Sequence, residues 1–357
     1  MSSPLVKGGL TTRAKVLLVI AVVTLTAATV HRLYWAELRG PVFEFSGATM
    51  GTTFLVKVAA PGLSRQAHAD LAREIRERLT AVNASMSTWD PESEISRFNR
   101  LGAQQPFAAS PDLRRVIDAA LKVSRASGGA FDITIRPLVQ AWGFGDGARP
   151  GDEPSSAELS ALRQRVGWQR IEVRDDALLK SHPQTECDLS AIAKGYAVDR
   201  VSEDLARLGY PNHLVEIGGE LRARGRKLDG SAWRVAIEAP QFVVQRSVHD
   251  VLPLVDMAMA TSGDYRSYYE RGGERVSHTI DPRDGQPIRH ALASVTVVAE
   301  EALWADAWAT ALNVLGSDAG YDLAEERNLA AYFIIRDNDG TFRTRETSMF
   351  TALRTRS

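Results

Sequence analysis

Only one of the 357 residues is a cysteine, Cys187. A single thiol cannot form an intramolecular disulfide, and no CxxC pair or Cys-based metal site exists. Glu186 and Asp188 flank it. That acidic setting raises a thiol pKa and argues against a nucleophilic role. Charge of one sign is lacking too: Lys plus Arg is 43, Asp plus Glu is 44, and the formal net charge is −1. A dedicated nucleic-acid binder would carry a basic surplus, so no nucleic-acid partner is expected. There is no Walker A sequence and no HExxH, and the seven histidines lack zinc spacing. No repeat of fixed period is present. What remains is ordinary globular composition, 44% apolar and 24% charged, which excludes a disordered tail, a collagen-like chain and a polytopic membrane protein. The length suits about two domains of ~150 residues, or one large one, with a sizeable core.

The N-terminus has its own character. Val16 to Val30 (VLLVIAVVTLTAATV) carries no charge, and Lys7, Arg13 and Lys15 precede it. A basic stretch followed by an apolar one is the pattern of a signal segment. Fifteen residues fall short of the ~20 a spanning helix needs. Leu10 to Thr12 and Leu33 to Trp35 can extend the run, with Trp35 at the interface. The expectation is an uncleaved signal anchor within residues 1–38, with a cleaved signal second and a buried core helix third. The positive-inside rule then leaves residues 39–357 outside the cytoplasm.

Periodicity maps the rest. Thr53 to Val58 alternates and predicts a strand. Leu71, Ile75, Leu79 and Val82 keep helical spacing. Ser110-Pro111 opens a helix with the stripe Leu113, Val116, Ile117, Ala120 and Leu121, ended by Gly128-Gly129. Residues 145–156 form a polar Gly/Pro-rich loop. Ser155 and Glu158 make a capping box for a helix through Val166. Ile171 to Val173 is a short strand. Ser190 caps a helix with the stripe Val198, Val201, Leu205 and Leu208, stopped by Gly209. Further strands are expected at His213 to Ile217, Trp233 to Glu238, Leu292 to Ala299 and Ala330 to Ile335, with a helix from about Glu300 to Leu315. Without a regular βαβ rhythm, the prediction is an α+β fold of mixed sheets with packed helices.

Two glycine-rich stretches are set aside. Gly143 to Gly147 has no apolar helix after it, and Gly47 to Gly51 carries Thr and leads into a strand, so neither is a dinucleotide loop nor a hydrolase elbow. Four polar clusters remain, each with a purely structural alternative. Asp306 and Thr310 lie one turn apart on a helix and share a face. Their hard oxygens suit Mg²⁺ and not zinc; alternatively they satisfy each other on an apolar helix. Asp188 to Tyr196 spans a strand-to-helix junction where free N–H groups and Lys194 favour phosphate, or simply a capped helix with a solvated lysine. Ser277 to Gly285 brings His278 and Arg283 to one turn, suited to a general base and a phosphate ligand, or to a surface turn. Gly128 to Thr134, followed by Trp142 to Gly145, offers close backbone approach and a stacking Phe131, or a helix end running into a core strand.

These clusters occur in an order that resembles the ApbE family, the FAD:protein FMN transferases. The matching pieces are Thr49 to Thr52, Met86 to Trp89 with Ser93 to Ser96, Gly129 to Asp132, Trp142 to Gly145, Asp188 to Tyr196, Glu216 to Gly219, Thr261 to Tyr265, His278 to Gly285, and Ala305-Asp306 with Thr310. The resemblance implies an ApbE-like domain over 39–357 and FAD contacts at Met50, Trp89, Ala130, Phe131, Asp132, Asp188, Lys194 and Ile280. Trp89 stands where the family often has Tyr, and Asp284 where Thr is common. It implies a magnesium site from the Ala191 carbonyl, Asp306 and Thr310, and a catalytic role for His278. The implied reaction joins FMN from FAD to a Ser or Thr hydroxyl of a target protein and releases AMP. The implied targets are flavoprotein subunits of membrane electron-transfer complexes. The implied location is the bacterial inner membrane, with the catalytic domain on the periplasmic side. Two other functions stay open: an FAD pyrophosphatase giving FMN and AMP, and a membrane-tethered flavin-binding or assembly protein without chemistry.

Overall fold

The computed structural model describes residues 40–146, 153–238, 248–263, 268–271, 274–337 and 339–356. The expected anchor, residues 147–152 of the polar loop at 145–156, and Asp264-Tyr265 lie outside the described residues. Among the described residues no helix is long and apolar enough to cross a membrane.

The expected α+β architecture is present. Strands β1 (Val42–Thr49), β2 (Thr52–Ala59), β6 (His213–Ile217), β7 (Glu220–Arg224), β10 (Met257–Gly263), β13 (Leu292–Ala299), β14 (Ala330–Arg336) and β15 (Phe342–Glu346) form one eight-stranded sheet in the order β1-β2-β6-β7-β10-β13-β14-β15. Each neighbouring pair whose register is resolved is antiparallel. Smaller sheets pair β3 (Phe107–Ala108), β5 (Ala177–Lys180) and β4 (Ile171–Arg174), then β8 (Trp233–Glu238) with β9 (Val248–Leu254), and β11 (Tyr268–Arg271) with β12 (Glu274–Ser277). The helices are α1 (Arg65–Met86), α2 (Glu94–Arg100), α3 (Pro111–Ala126), α4 (Arg136–Ala141), α5 (Ser156–Arg163), α6 (Ala193–Arg207), α7 (Ala302–Leu315), α8 (Ala319–Glu326) and α9 (Ser348–Arg356).

Local chemistry sets most of these boundaries. Ser110 Oγ accepts from Leu113 N at 3.2 Å, and Pro111 takes the first turn of α3. Gly128 and Gly129 end that helix at positive φ, with Gly129 N donating to the Ser124 carbonyl at 2.8 Å. No strand follows; residues 130–134 are bends and turns. The capping box at Ser155 and Glu158 forms, but α5 stops at Arg163, short of Val166. Strand β13 is buried along almost its whole length, as its β-branched run requires of a strand covered on both faces. Helices α6 and α7 pack beside each other against the large sheet, and α7 is apolar nearly all round. An isolated polar group on such a helix needs a partner, and this is where the site begins.

Candidate functional site

The site is built where two hairpin turns meet the start of α6 and the flank of α7. Between β1 and β2 the turn is Met50-Gly51, both at positive φ (49° and 71°). A two-residue loop with both central residues left-handed matches the twist of a hairpin. Met is an uncommon occupant of that conformation, which costs energy and clusters at functional sites. The β6–β7 turn is Gly218-Gly219. A Cβ on Gly218 would meet Thr52 Cγ2 at 2.9 Å and the Lys194 stem at 3.4 Å, so only glycine lets the two turns and the lysine close up. Gly218 N donates to the Thr53 carbonyl at 3.0 Å, and Asn83 Nδ2 on α1 donates to Thr49 Oγ1 at 3.2 Å.

The entry to α6 differs from the expectation. Ser190 is exposed and does not cap the helix; its N–H donates to Asp188 Oδ1 at 2.8 Å. This local aspartate turn competes with capping. The cap position is Ile192, and the Leu189 carbonyl accepts from Ile192 N and Ala193 N. Gly195 stands in the first turn of α6, where backbone amides have no acceptor within the helix. Its N–H donates to Asp306 Oδ2 at 3.0 Å. Ala191 precedes the cap, so its carbonyl lies outside the helical ladder. Glycine is required here: a Cβ at 195 would lie 2.3 Å from the Ala302 carbonyl oxygen and 2.8 Å from Asp306 Cβ.

Asp306 is 4% exposed. Burial pushes its carboxyl pKa up, opposed by the Lys194 ammonium and the Gly195 amide. Lys194 Nζ is 2.6 Å from Glu220 Oε1. Glu220 is buried as well, its other oxygen has no hydrogen-bond partner, and burial raises its pKa with the Asp306 charge adding to the rise. Among the described residues, two buried carboxylates therefore share one ammonium, a formal imbalance of one negative charge. Buried charge without compensation is costly, and a divalent cation on hard oxygen donors is the compensation this cluster suits. Thr310, half-buried one turn beyond Asp306, shares its face. The donor set of Ala191 carbonyl, Asp306 carboxylate and Thr310 hydroxyl thus fits magnesium.

Glu220 is the residue the sequence reading passed over. Its only signal was an acid directly after a Gly-Gly turn; its partner comes from another element.

The remaining expected residues lie in different surroundings. Trp89, just past α1, is 70% exposed, its indole open to a stacking ligand. Ala130 and Phe131 are buried, and the Phe131 ring packs into the main core, so that stretch offers its backbone. Asp132 is an internal staple: one oxygen accepts from Thr134 N and Oγ1 at 2.8 and 2.7 Å, the other from Trp168 N at 2.7 Å. Burial raises its pKa against those donors. Asp188 is half-buried at the turn before α6. Cys187 is fully buried, and burial drives its thiol pKa up, in keeping with an inert thiol.

His278 follows β12, half-buried, with its ring edge-on to Phe144 at 6.4 Å between centroids. Ile280 is buried in a small apolar cluster with Leu138, Trp142, Leu159, Val166 and Val276. Trp142 Nε1 donates to the Gly285 carbonyl at 2.8 Å, and Arg163 bonds the Arg283 carbonyl. Arg283 is paired with Asp281 at 2.6 Å, which engages the guanidinium once expected to meet phosphate.

The ApbE family model matches residues 50–333. A FAD:protein FMN transferase of Haemophilus influenzae is 42% identical over 317 residues, covering 87% of this chain and 91% of that protein. One from Vibrio cholerae is 42% identical over 298 residues, covering 83% and 88%. Among solved structures, the Pseudomonas stutzeri flavinyl transferase ApbE in its apo form superposes with a TM-score of 0.80 at 42% identity, covering 88% of this chain and 97% of that one. The Vibrio cholerae flavin transferase ApbE superposes with a TM-score of 0.79 at 39% identity, covering 87% and 99%.

Proposed function

The chain belongs to the ApbE family, and on that premise we propose that it transfers FMN from FAD to a Ser or Thr hydroxyl of a target protein. One observation carries the reading: Lys194, Glu220 and Asp306 converge in a largely buried cluster that, among the described residues, sets two carboxyl groups against one ammonium. Magnesium, when bound, would neutralise charge building on the diphosphate and on departing AMP. Ala191, Asp306 and Thr310 would hold it. Lys194, at the start of α6, supplies positive charge for a diphosphate beside a helix N-terminus. Met50 and Trp89 line the flavin side, with Ala130, Asp188 and Ile280 along the nucleotide.

The acceptor oxygen attacks the FMN-side phosphorus while the bond from that phosphorus to the bridging oxygen breaks. The electron pair leaves with AMP, and the hydroxyl proton goes to the His278 imidazole. General-base assistance of this kind contributes typically ~10²–10⁴-fold. With water in place of the hydroxyl, the same groups would give FMN and AMP.

The targets we propose are flavoprotein subunits of membrane electron-transfer complexes. We further propose that residues 1–38 anchor the enzyme in a bacterial inner membrane with its catalytic domain on the periplasmic side, which rests on the uncharged run Val16 to Val30.

The test is incubation of the chain with FAD, magnesium and a candidate membrane flavoprotein. Flavin fluorescence on the denatured partner in a gel, lost on chelation with EDTA, supports transfer. Release of FMN and AMP with an unlabelled partner across all candidates supports hydrolysis. Neither product, and no thermal shift with FAD plus magnesium, overturns the enzymatic reading.

A further inference from the structure

Helices α6 and α7 are joined by a reciprocal clasp. At one rung, Gly195 N–H on α6 donates to the Asp306 carboxylate on α7 at 3.0 Å. At the other, one turn further along α6, the Asp199 carboxylate accepts from the first two amides of α7: Oδ1 from Ala302 N at 2.9 Å and Oδ2 from Leu303 N at 2.8 Å. Asp199 is buried, and Arg222 Nη1 from β7 completes its shell at 2.8 Å. Glu301, at the cap position of α7, makes no side-chain cap bond. The capping group of α7 therefore comes from a neighbouring helix.

The two rungs are spaced by one helical turn on each helix, from 195 to 199 and from 302 to 306. Between them the backbones touch, with no room for a Cβ at Gly195 against the Ala302 carbonyl. Sliding α7 by a fraction of a turn would break both rungs together. From this geometry we infer that Asp199 is a positioning residue for the cation site: by capping α7 from α6, it fixes the depth at which Asp306 and Thr310 stand beside Ala191. The carboxylate also suits the end it caps, since negative charge is stabilising at a helix N-terminus. Asp199 is not a ligand in this scheme; it acts through the placement of α7. The inference rests on the cation reading given above.

The test uses Mn²⁺ as a paramagnetic probe, its free concentration read by electron paramagnetic resonance. It is titrated into the folded chain in the presence of FAD. FAD affinity without metal is read separately from flavin fluorescence in EDTA. Asn at 199 keeps the shape but can accept only through one atom and turns a donor toward α7. The expected result for Asp199→Asn is Mn²⁺ binding weakened tenfold or more, with metal-free FAD affinity within twofold of the parent. Asp204→Asn is the comparator. It loosens α6 elsewhere, at the ion pair with Arg78 of α1, and should leave Mn²⁺ binding unchanged. Equal weakening in both variants, or unchanged binding in folded Asp199→Asn, overturns the role of Asp199. Should Asp199→Asn not fold, Arg222→Gln removes the third partner and should weaken Mn²⁺ about threefold; no change there overturns the inference equally. Asp306→Asn separates the premise: an unaltered Mn²⁺ titration in that variant overturns the cation reading itself.

Discussion

Two histidine neighbourhoods of the molecule are built in contrasting ways. His213 on β6 is fully buried against α6, with Nε2 at 2.7 Å from Ser202 Oγ and Nδ1 at 2.7 Å from the Tyr210 carbonyl. Burial drives its pKa down to about 4, so it stays neutral. His278 is half-buried, after a short strand, with an aromatic edge for a neighbour. The α6–α7 side is an interlocked polar network in a dry setting; the His278 side is a turn pinned by apolar packing and a few bonds to its carbonyls. A locked histidine braces the scaffold, whereas one left at a rim can move a proton. The first region holds charge still, and in the proposed mechanism the second exchanges it.

Removing a charge from the locked side should have the largest effect. Asp306→Ala is expected to lower FMN transfer by about 10³-fold, roughly 4 kcal/mol, and to abolish the magnesium dependence of what remains. A parental magnesium titration would refute the assignment. The brace itself shows in acid. An unfolded histidine titrates near 6.5 and His213 near 4. The unfolded state binds the extra proton between those values, so stability is full above the upper one and falls as pH drops toward the lower. The loss amounts to about 3 kcal/mol. His213→Gln should flatten that limb in urea denaturation at pH 7 and pH 4.5; an equally steep limb removes His213 as its cause. Gly195→Ala drives a Cβ into the Ala302 carbonyl and should cost about 3 kcal/mol, with Mn²⁺ binding falling more than FAD binding does.

How far each region could be read in advance follows the same division. Strand β13 was legible to the residue because Leu292 to Ala299 carries the β-branched run Val295 to Val298, and α3 because Ser110-Pro111 and Gly128-Gly129 punctuate it. Asp306 and Thr310 were legible as a pair because helical spacing is local. Their surroundings were not. Strand β10, with Met257, Ala258, Ala260 and Ser262, has no alternation or β-branched run, yet it lies between β7 and β13 in the sheet. Tertiary pairing outweighs its weak propensity. Glu220 and Asp199 acquire their roles from partners on other elements, which no window of sequence contains. Ser190 misled because it fits a capping pattern, while Asp188 claims its amide first. On the other side, Arg283 looked like a phosphate ligand until Asp281 was seen to hold it.

The rim side should respond more gently, and through rate before stability. His278→Ala is expected to slow transfer about 10²-fold while FAD affinity stays within a few-fold and the urea midpoint is unmoved. Matched turnover in the variant would take His278 out of the proton path.

The mildest change tests what keeps that rim in place. Trp142 reaches from the end of α4 to the Gly285 carbonyl, closing the turn that carries Ile280 to Gly285 behind His278. Trp142→Phe keeps most of the apolar burial and removes the donor. The buried carbonyl then loses its indole partner, at a cost of about 1–2 kcal/mol. If the rim is only a packed turn, stability falls by that amount and transfer is unaffected. If the turn sets the reach of His278, kcat falls severalfold with the KM for FAD unchanged. The split matters for the comparison itself. A fall in kcat means the His278 half is also positioned, by one bond to a backbone oxygen in place of a network. A pure stability loss means the two halves divide the labour of holding and reacting between them.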